Sequence, residues 1–316
     1  MNYLKEILIV ILASIVLVKS AGLTIKSLIR LSYFLKLSAF SISFILMAVA
    51  TTLPENFVGI QAALSGKPEL SLGNVIGSNI ADLTLIVGIA ILVARQIRIR
   101  SVIAKRDAFY MLAIAILPLI FLADLTLSRI EAVILIVFYI FYLNRLLHQK
   151  SFFQPEKVYI KKSEALKAVI LAIGGIVFLI ISARFLVNSA INLASYLNIP
   201  VVLIGMFLVA VGTSLPELAF GIQSIKKNES ELALGDLMGS VVSNSTLVLA
   251  VTSLITPIKI QSWQVFEMSA FFLVFILITF NFFIRSDRKL DITEGIILIF
   301  IYLIFLMLEF GIEIYA

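Results

Sequence analysis

Glu55 and Glu217 stand 162 residues apart, each preceded by Leu-Pro and each inside a long apolar stretch. The first lies in ATTLPEN, Ala50 to Asn56, and the second in GTSLPEL, Gly212 to Leu218. Downstream come GNVIGSNIAD, Gly73 to Asp82, and GDLMGSVVSN, Gly235 to Asn244, at the same offset. Gly73 thus pairs with Gly235, Ser78 with Ser240 and Asp82 with Asn244. A carboxylate at the centre of a bilayer costs about 3 kcal/mol even on insertion scales. No Lys or Arg lies in either block. The simplest compensating charge is a bound cation; the bland alternative is a pair of protonated, hydrogen-bonded acids inside a helix bundle. Carboxylates, hydroxyls and carbonyls without N or S ligands suit hard cations such as Na⁺ and Ca²⁺.

The neighbouring residues strengthen the cation reading. Pro54 and Pro216 remove an amide and clash with the carbonyl four residues back. That frees carbonyls near Ala48 to Thr51 and near Ala210 to Thr213. Broken backbone is tolerated at membrane depth only where it is buried or lines a wet cavity. Thr51 and Thr213 precede the glutamates by one turn on the same face, and Thr52 and Ser214 add hydroxyls beside them. Singly, each proline reads as a packing kink and each hydroxyl as bonded back to its own helix; their joint recurrence favours function. Asn74, Ser78 and Asp82 share one helix face, as do Asp236, Ser240 and Asn244. Gly73 with Gly77, and Gly235 with Gly239, form GxxxG pairs that permit close helix approach.

The elements that position these residues are membrane helices. The 316 residues are 61% hydrophobic and only 14% charged, against about 25% charged in soluble domains; mean hydropathy is +1.11. The apolar runs are too long for barrel strands. An all-α integral membrane protein is expected, with ten spans near 4–22, 37–64, 71–94, 104–122, 127–147, 164–186, 199–224, 232–255, 262–284 and 291–313. The first reads as a span and not a signal peptide, because Leu166 to Val187 matches it within the chain. A first repeat, 1–147, and a second, 164–316, flank a polar linker, 148–163. Five spans is an odd number, so the second repeat enters from the opposite side, an inverted repeat typical of secondary transporters. Of 25 Lys and Arg, 5 (Lys5, Lys67, Arg129, Arg184, Lys259) fall on the N-terminal side and 20 on the other. The positive-inside rule then places both termini outside and the linker in the cytoplasm, in a plasma membrane. The basic balance is topogenic, and no nucleic-acid partner is expected.

The two blocks resemble the paired alpha-repeats of sodium/calcium exchangers, within the cation/calcium exchanger superfamily and of prokaryotic type. The resemblance covers both halves and is strongest over 48–90 and 210–252. It implies four central cation sites that open alternately to each side. Glu55 and Glu217 would be central carboxylates. Thr51, Thr52, Thr213 and Ser214 would give hydroxyl or carbonyl oxygens, Ser78 and Ser240 hydroxyls, and Ala48 and Ala210 carbonyls. Asp82 and Asn244 would complete the set, and the first and sixth helices would slide across the core. Three departures stand out. Ala50 replaces a glycine, the acid of the Asp82/Asn244 pair sits in the first repeat, and Asp236 replaces the Asn of the second GN motif. Asp236 reads either as lining the inner vestibule or as a solvated acid near a helix start.

The expected function is Na⁺-driven Ca²⁺ antiport by alternating access, with Na⁺ and Ca²⁺ as substrates, the lipid bilayer as partner, no cofactor and no obligate protein partner. A proton/Ca²⁺ exchanger is the alternative. That branch tends to carry GNxxE, whereas the acid here follows Leu-Pro. A K⁺-dependent exchanger would place an acid at Asn244. A passive channel would need no pair of occluding sites. An enzyme is not expected: Cys is absent, the single His, His148, sits in a loop, and no nucleotide-binding loop occurs.

Overall fold

In hydrocarbon every backbone amide needs an internal partner, so long apolar runs fold as helices. The computed structural model describes residues 2–35, 52–98, 102–148, 160–226, 230–260, 263–286 and 289–315. They form α1 (Asn2–Phe34), α2 (Leu53–Leu64), α3 (Pro68–Ala94), α4 (Val102–Phe121), α5 (Arg129–His148), α6 (Lys162–Leu197), α7 (Val201–Lys226), α8 (230–255), α9 (Trp263–Ser286) and α10 (Ile292–Tyr315). Eight helices among the described residues are long and apolar enough to cross a membrane. The expected second span, 37–64, falls partly outside the described residues, and so does most of the linker.

Two helices depart from expectation. α1 has 33 residues and α6 has 36, so each is about 50 Å long at 1.5 Å per residue, well beyond the ~30 Å hydrocarbon core. The expected ends at 22 and 186 are wrong. Residues 23–34 and 187–197 contain neither Pro nor Gly, so nothing stops the helix. Both stripes of small buried residues also continue: Ala21, Thr24 and Ser27 on α1, and Ser189, Ala190 and Ala194 on α6. The hydroxyls of Ser20, Thr24, Ser27 and Ser182 bond back to carbonyls of their own helices. α6 finally stops at Asn198, whose φ of 54° is a left-handed cap. In consequence Lys19, Lys26, Arg30 and Arg184 lie exposed on helix flanks and not in loops.

α1 and α6 pack along one another, and their small residues make that approach close. A Cβ on Gly175 would come within 2.2 Å of Thr24 Oγ1. The other helices surround α3 and α8, the most buried of the spans. α3 also meets the first half of α7 backbone to backbone. A Cβ on Gly73 would lie 1.9 Å from the Val202 carbonyl, and one on Gly77 would lie 2.0 Å from that of Met206. The first GxxxG pair thus makes its close approach to α7, and not to α2 as the repeat pattern suggests.

Two short antiparallel ladders fix the layout. β1 (Gln96–Arg98) pairs with β4 (Lys289–Asp291), and β2 (Thr126–Leu127) pairs with β3 (Ile258–Lys259). β1 precedes α4 and β4 follows α9, while β2 follows α4 and β3 precedes α9. The ladders therefore hold α4 and α9 side by side in opposite directions. They also place the loops of Arg95 and Lys289 at one end and those of Arg129 and Lys259 at the other, the grouping that the charge count predicts. Arg129 reinforces its end by donating to the carbonyls of Leu254 and Ile255 at 3.0 and 3.2 Å.

Gly77→Ala forces α3 away from α7, and overpacking of this kind costs about 1–3 kcal/mol or more. Gly174→Ala on α6 meets nothing within 4 Å among the described residues and gains roughly 0.5–1 kcal/mol of helix propensity. Thermal unfolding of the detergent-solubilised variants should show a lowered midpoint for the first and an unchanged or raised one for the second.

Candidate functional site

The site begins with two matched breaks in the backbone. Thr52 precedes α2 with φ −123° and ψ 9°, and Ser214 interrupts α7 with φ −84° and ψ 1°. Each is followed by Leu-Pro-Glu, so each proline sits in the first turn of the next helical piece, where its missing amide does no harm. The helix restarts with Glu55 and Glu217 in that first turn. Gly212, just before the second break, lies so close to α1 that a Cβ there would meet Ser14 Oγ at 2.6 Å.

The partner helices are also irregular, and the composition did not reveal it. α3 carries a π turn at Asp82–Ile86, and α8 carries one at Asn244–Val248. Both open on an expected site residue. A π turn shifts the amide register by one residue and is frequent at functional sites. It leaves a carbonyl short of its amide, and here a threonine hydroxyl supplies the bond. Thr84 donates to the Ile80 carbonyl, and Thr246 to the Val242 carbonyl at 2.5 Å. These threonines are 162 residues apart, a repeat signal that pointed to the turns. A third π turn, Gly205–Val209, leads into Ala210 on α7.

The structure buries the expected residues that it describes. Thr52, Glu55, Ser78, Asp82, Ala210, Thr213, Ser214, Glu217, Ser240 and Asn244 are all buried, none more than 3% exposed. Ala48 and Thr51 lie outside the described residues. Thr213 is the hub. Its hydroxyl can donate to Asn74 Oδ1 or to the Ala210 carbonyl, each at 3.2 Å, and lies 3.4 Å from the Ser78 hydroxyl. The Glu55 carboxylate lies beside it. The Ala210 carbonyl also accepts the Ser214 amide at 3.0 Å, so a rotation of the Thr213 hydroxyl would free one of its lone pairs. Ser214 and Asp82 face each other without closing a hydrogen bond of normal geometry. Glu217 lies within electrostatic range of Glu55 and Asp82.

Many of these oxygens are unsatisfied. Among the described residues Thr52 Oγ1, Glu55 Oε2, Asp82 Oδ1, Ser214 Oγ, Glu217 Oε2, Ser240 Oγ and Asn244 Oδ1 are buried without a hydrogen-bond partner. A buried polar atom left unpaired costs about 1–3 kcal/mol, so such a concentration within one site needs a ligand. The donors are all oxygens, the set that hard cations take. Among the described residues no three carboxylates come close enough to hold one ion. Hydroxyls and carbonyls must therefore complete any coordination shell.

Cross-links that the repeat pattern hid hold α3 to α8. Asn79 Nδ2 donates to Ser245 Oγ at 2.8 Å, and Asn79 Oδ1 accepts from Asn244 Nδ2 at 3.2 Å. Ser71 and Thr252 hydroxyls meet at 2.9 Å. Asn79 corresponds to Val241, and Ser245 to Leu83, so neither recurs in the other half.

Oxygen donors gathered on broken helices within a bundle of membrane spans define a multi-pass membrane protein built to handle cations. The comparisons with known proteins name the family. The chain belongs to the sodium/calcium exchanger protein family, whose model matches residues 5–147 and 167–311. It is 29% identical to the sodium/calcium exchanger MaX1 of Methanosarcina acetivorans, over 96% of this chain and 98% of that one. A structure of the sodium-calcium exchanger NCX_Mj superposes with a TM-score of 0.64 at 25% identity, covering 96% of this chain and 97% of that one. An H⁺/Ca²⁺ exchanger, CAX, superposes with a TM-score of 0.76 over 96% of this chain and 82% of its own, at 14% identity, a likeness of fold. These relatives are exchangers, not enzymes.

Asn79→Ala removes both bonds that join α3 to α8 beside the site and leaves Ser245 and Asn244 short of partners. The expected cost is about 1–3 kcal/mol, seen as a lowered midpoint in thermal unfolding without added cations.

Proposed function

We propose that the chain is a secondary antiporter that exchanges Na⁺ for Ca²⁺ by alternating access. The observation that carries this reading is the pair of buried carboxylates, Glu55 and Glu217, on matched helix breaks and surrounded by unpartnered oxygens. Their ligand shell would draw on Ala48, Thr51, Thr52, Ser78, Asp82, Ala210, Thr213, Ser214, Ser240 and Asn244. The family and the named activity of MaX1 support the choice of ions.

The proposed architecture is ten spans arranged as two inverted repeats, 1–147 and 164–316, joined by a cytoplasmic linker at 148–163. Opposed α4 and α9, with ladders at both ends, are what such a repeat requires. Both termini would face outward from the plasma membrane, by the distribution of Lys and Arg.

The charge count turns on Asp82: with all three acids ionised, three Na⁺ would be neutral and one Ca²⁺ would leave a negative site. With Glu55 and Glu217 ionised and Asp82 protonated, the site carries two negative charges. One Ca²⁺ neutralises them, and three Na⁺ leave one positive charge to move through the field. A second reading, proton/Ca²⁺ exchange, is favoured by Asp82 itself, a third buried acid that could carry the proton.

Three outcomes test the proposal. In sealed vesicles with pH clamped, Ca²⁺ uptake should follow an imposed Na⁺ gradient; uptake that follows a pH gradient alone would move the assignment to the proton exchanger. Glu217→Gln should abolish Ca²⁺ flux and also the rise in unfolding temperature that Ca²⁺ gives the parent protein, since bound ligand stabilises the folded state. Asp82→Asn should keep Ca²⁺ flux within a few-fold of the parent, because on this charge count the residue already holds a proton; a folded variant with no flux would refute it.

A further inference from the structure

Asp236 is one of the residues by which the α8 side of the site differs from the α3 side. Its counterpart, Asn74, is fully buried and accepts a hydrogen bond from Thr213. Asp236 is half-buried. It is the seventh residue of its helical piece, Ser230–Ser243, two turns in. Helix-dipole and capping stabilisation of an acid falls off within the first turn, so a helix-start role does not account for it.

The geometry does. Asp236, Ser240 and Asn244 recur every fourth residue and share one face of α8. Ser240 and Asn244 are buried, with Ser240 Oγ and Asn244 Oδ1 unpartnered. Asp236 stands one turn nearer the start of α8, about 6 Å along the axis. Its carboxylate is within electrostatic range of Asp82 on α3 and Glu217 on α7. No ion pair among the described residues includes it. An acid that adds to the negative field of the site, without a cation of its own, is placed to attract one.

We propose that Asp236 is a further specificity-determining residue: a carboxylate at the α8 entrance that captures a divalent cation from one side of the membrane and passes it to Ser240 and Asn244. The inference rests on the cation-exchange reading above. A half-buried acid on α8, where α3 carries the fully buried amide of Asn74, makes the two approaches to the site unequal. A fixed carboxylate also raises the local concentration of a doubly charged ion more than that of a singly charged one. The entrance it serves is the side on which α8 begins, the same side as the start of α6.

The test uses the full chain in right-side-out and everted vesicles, with Ca²⁺ as the probe. Asp236→Asn should raise the half-saturating Ca²⁺ concentration on the α8-start side by about 5-fold or more, in keeping with the loss of an attracting charge. It should leave the opposite side within 2-fold and should shift Na⁺ half-saturation less than Ca²⁺. Asp236→Glu should restore the parent value. An equal rise on both sides, or no rise on either, overturns the proposal, since a merely structural role has no sidedness. The coupling ion does not enter this readout: uptake driven only by a pH gradient defeats the Na⁺ assignment while the sided shift can still be measured. If the parent chain moves no Ca²⁺, the cation-exchange reading fails for Ca²⁺. The sided shift is then read in ²²Na⁺/Na⁺ exchange, and a chain that moves neither ion overturns both proposals.

Discussion

The structure depends on two carboxylates held in a bundle of membrane spans with no fixed positive partner among the described residues. Each carries a desolvation cost of about 3 kcal/mol, and the surrounding features answer that cost. The breaks at Thr52 and Ser214 set buried hydroxyls beside the acids. The π turns at Asp82–Ile86 and Asn244–Val248 add irregularity on the facing helices. Close packing at Gly73 and Gly77 shuts the lipid out. What remains unsatisfied among the described residues is a set of oxygens, the donor type that hard cations take.

The two halves are alike where they must be and unlike where direction matters. The breaks, the π turns and the threonines that stitch them recur at one offset, because both halves face the same problem of a polar site in lipid. The ladders also swap between halves: β1 pairs with β4, and β2 with β3, so neither half completes a ladder alone. The differences lie on the facing helices. Asp82 faces Asn244, and Asn74 answers Asp236, so each half contributes one acid and one amide, placed at different depths.

Much of this was legible in the sequence because repetition amplifies a weak signal. A single Leu-Pro-Glu in an apolar run reads as a kink, whereas two at a fixed offset read as a site. The helix ends of α1 and α6 were not legible. Lys26 and Arg30 fall beyond the expected end of the first span, but long side chains carry their charge away from a helix flank and need no break in it. The Asn79 cross-link was hidden for the opposite reason. It has no counterpart in the second half, and a search by repeat discards residues that occur once. The π turns fell between these cases: Thr84 and Thr246 recur, but threonine in an apolar helix has the common alternative of bonding back within an ordinary turn.

The placement of hydrogen bonds also separates what can slide from what cannot. On α1 and α6 the buried hydroxyls of Ser20, Thr24, Ser27 and Ser182 are turned back to their own carbonyls, so these parts of their faces are small and largely nonpolar. Moving such a face exchanges one set of van der Waals contacts for another of similar depth. Between α3 and α8 the bonds cross from helix to helix, at Asn79 with Ser245 and Asn244, and at Ser71 with Thr252. A slip of a few ångströms there would strand several polar groups in a dry core, at a cost that grows with each. On the proposed alternating-access reading, the long pair α1 and α6 would move against a core that stays in register. Ser14, packed against Gly212 at the α7 break, is where that motion would reach the site.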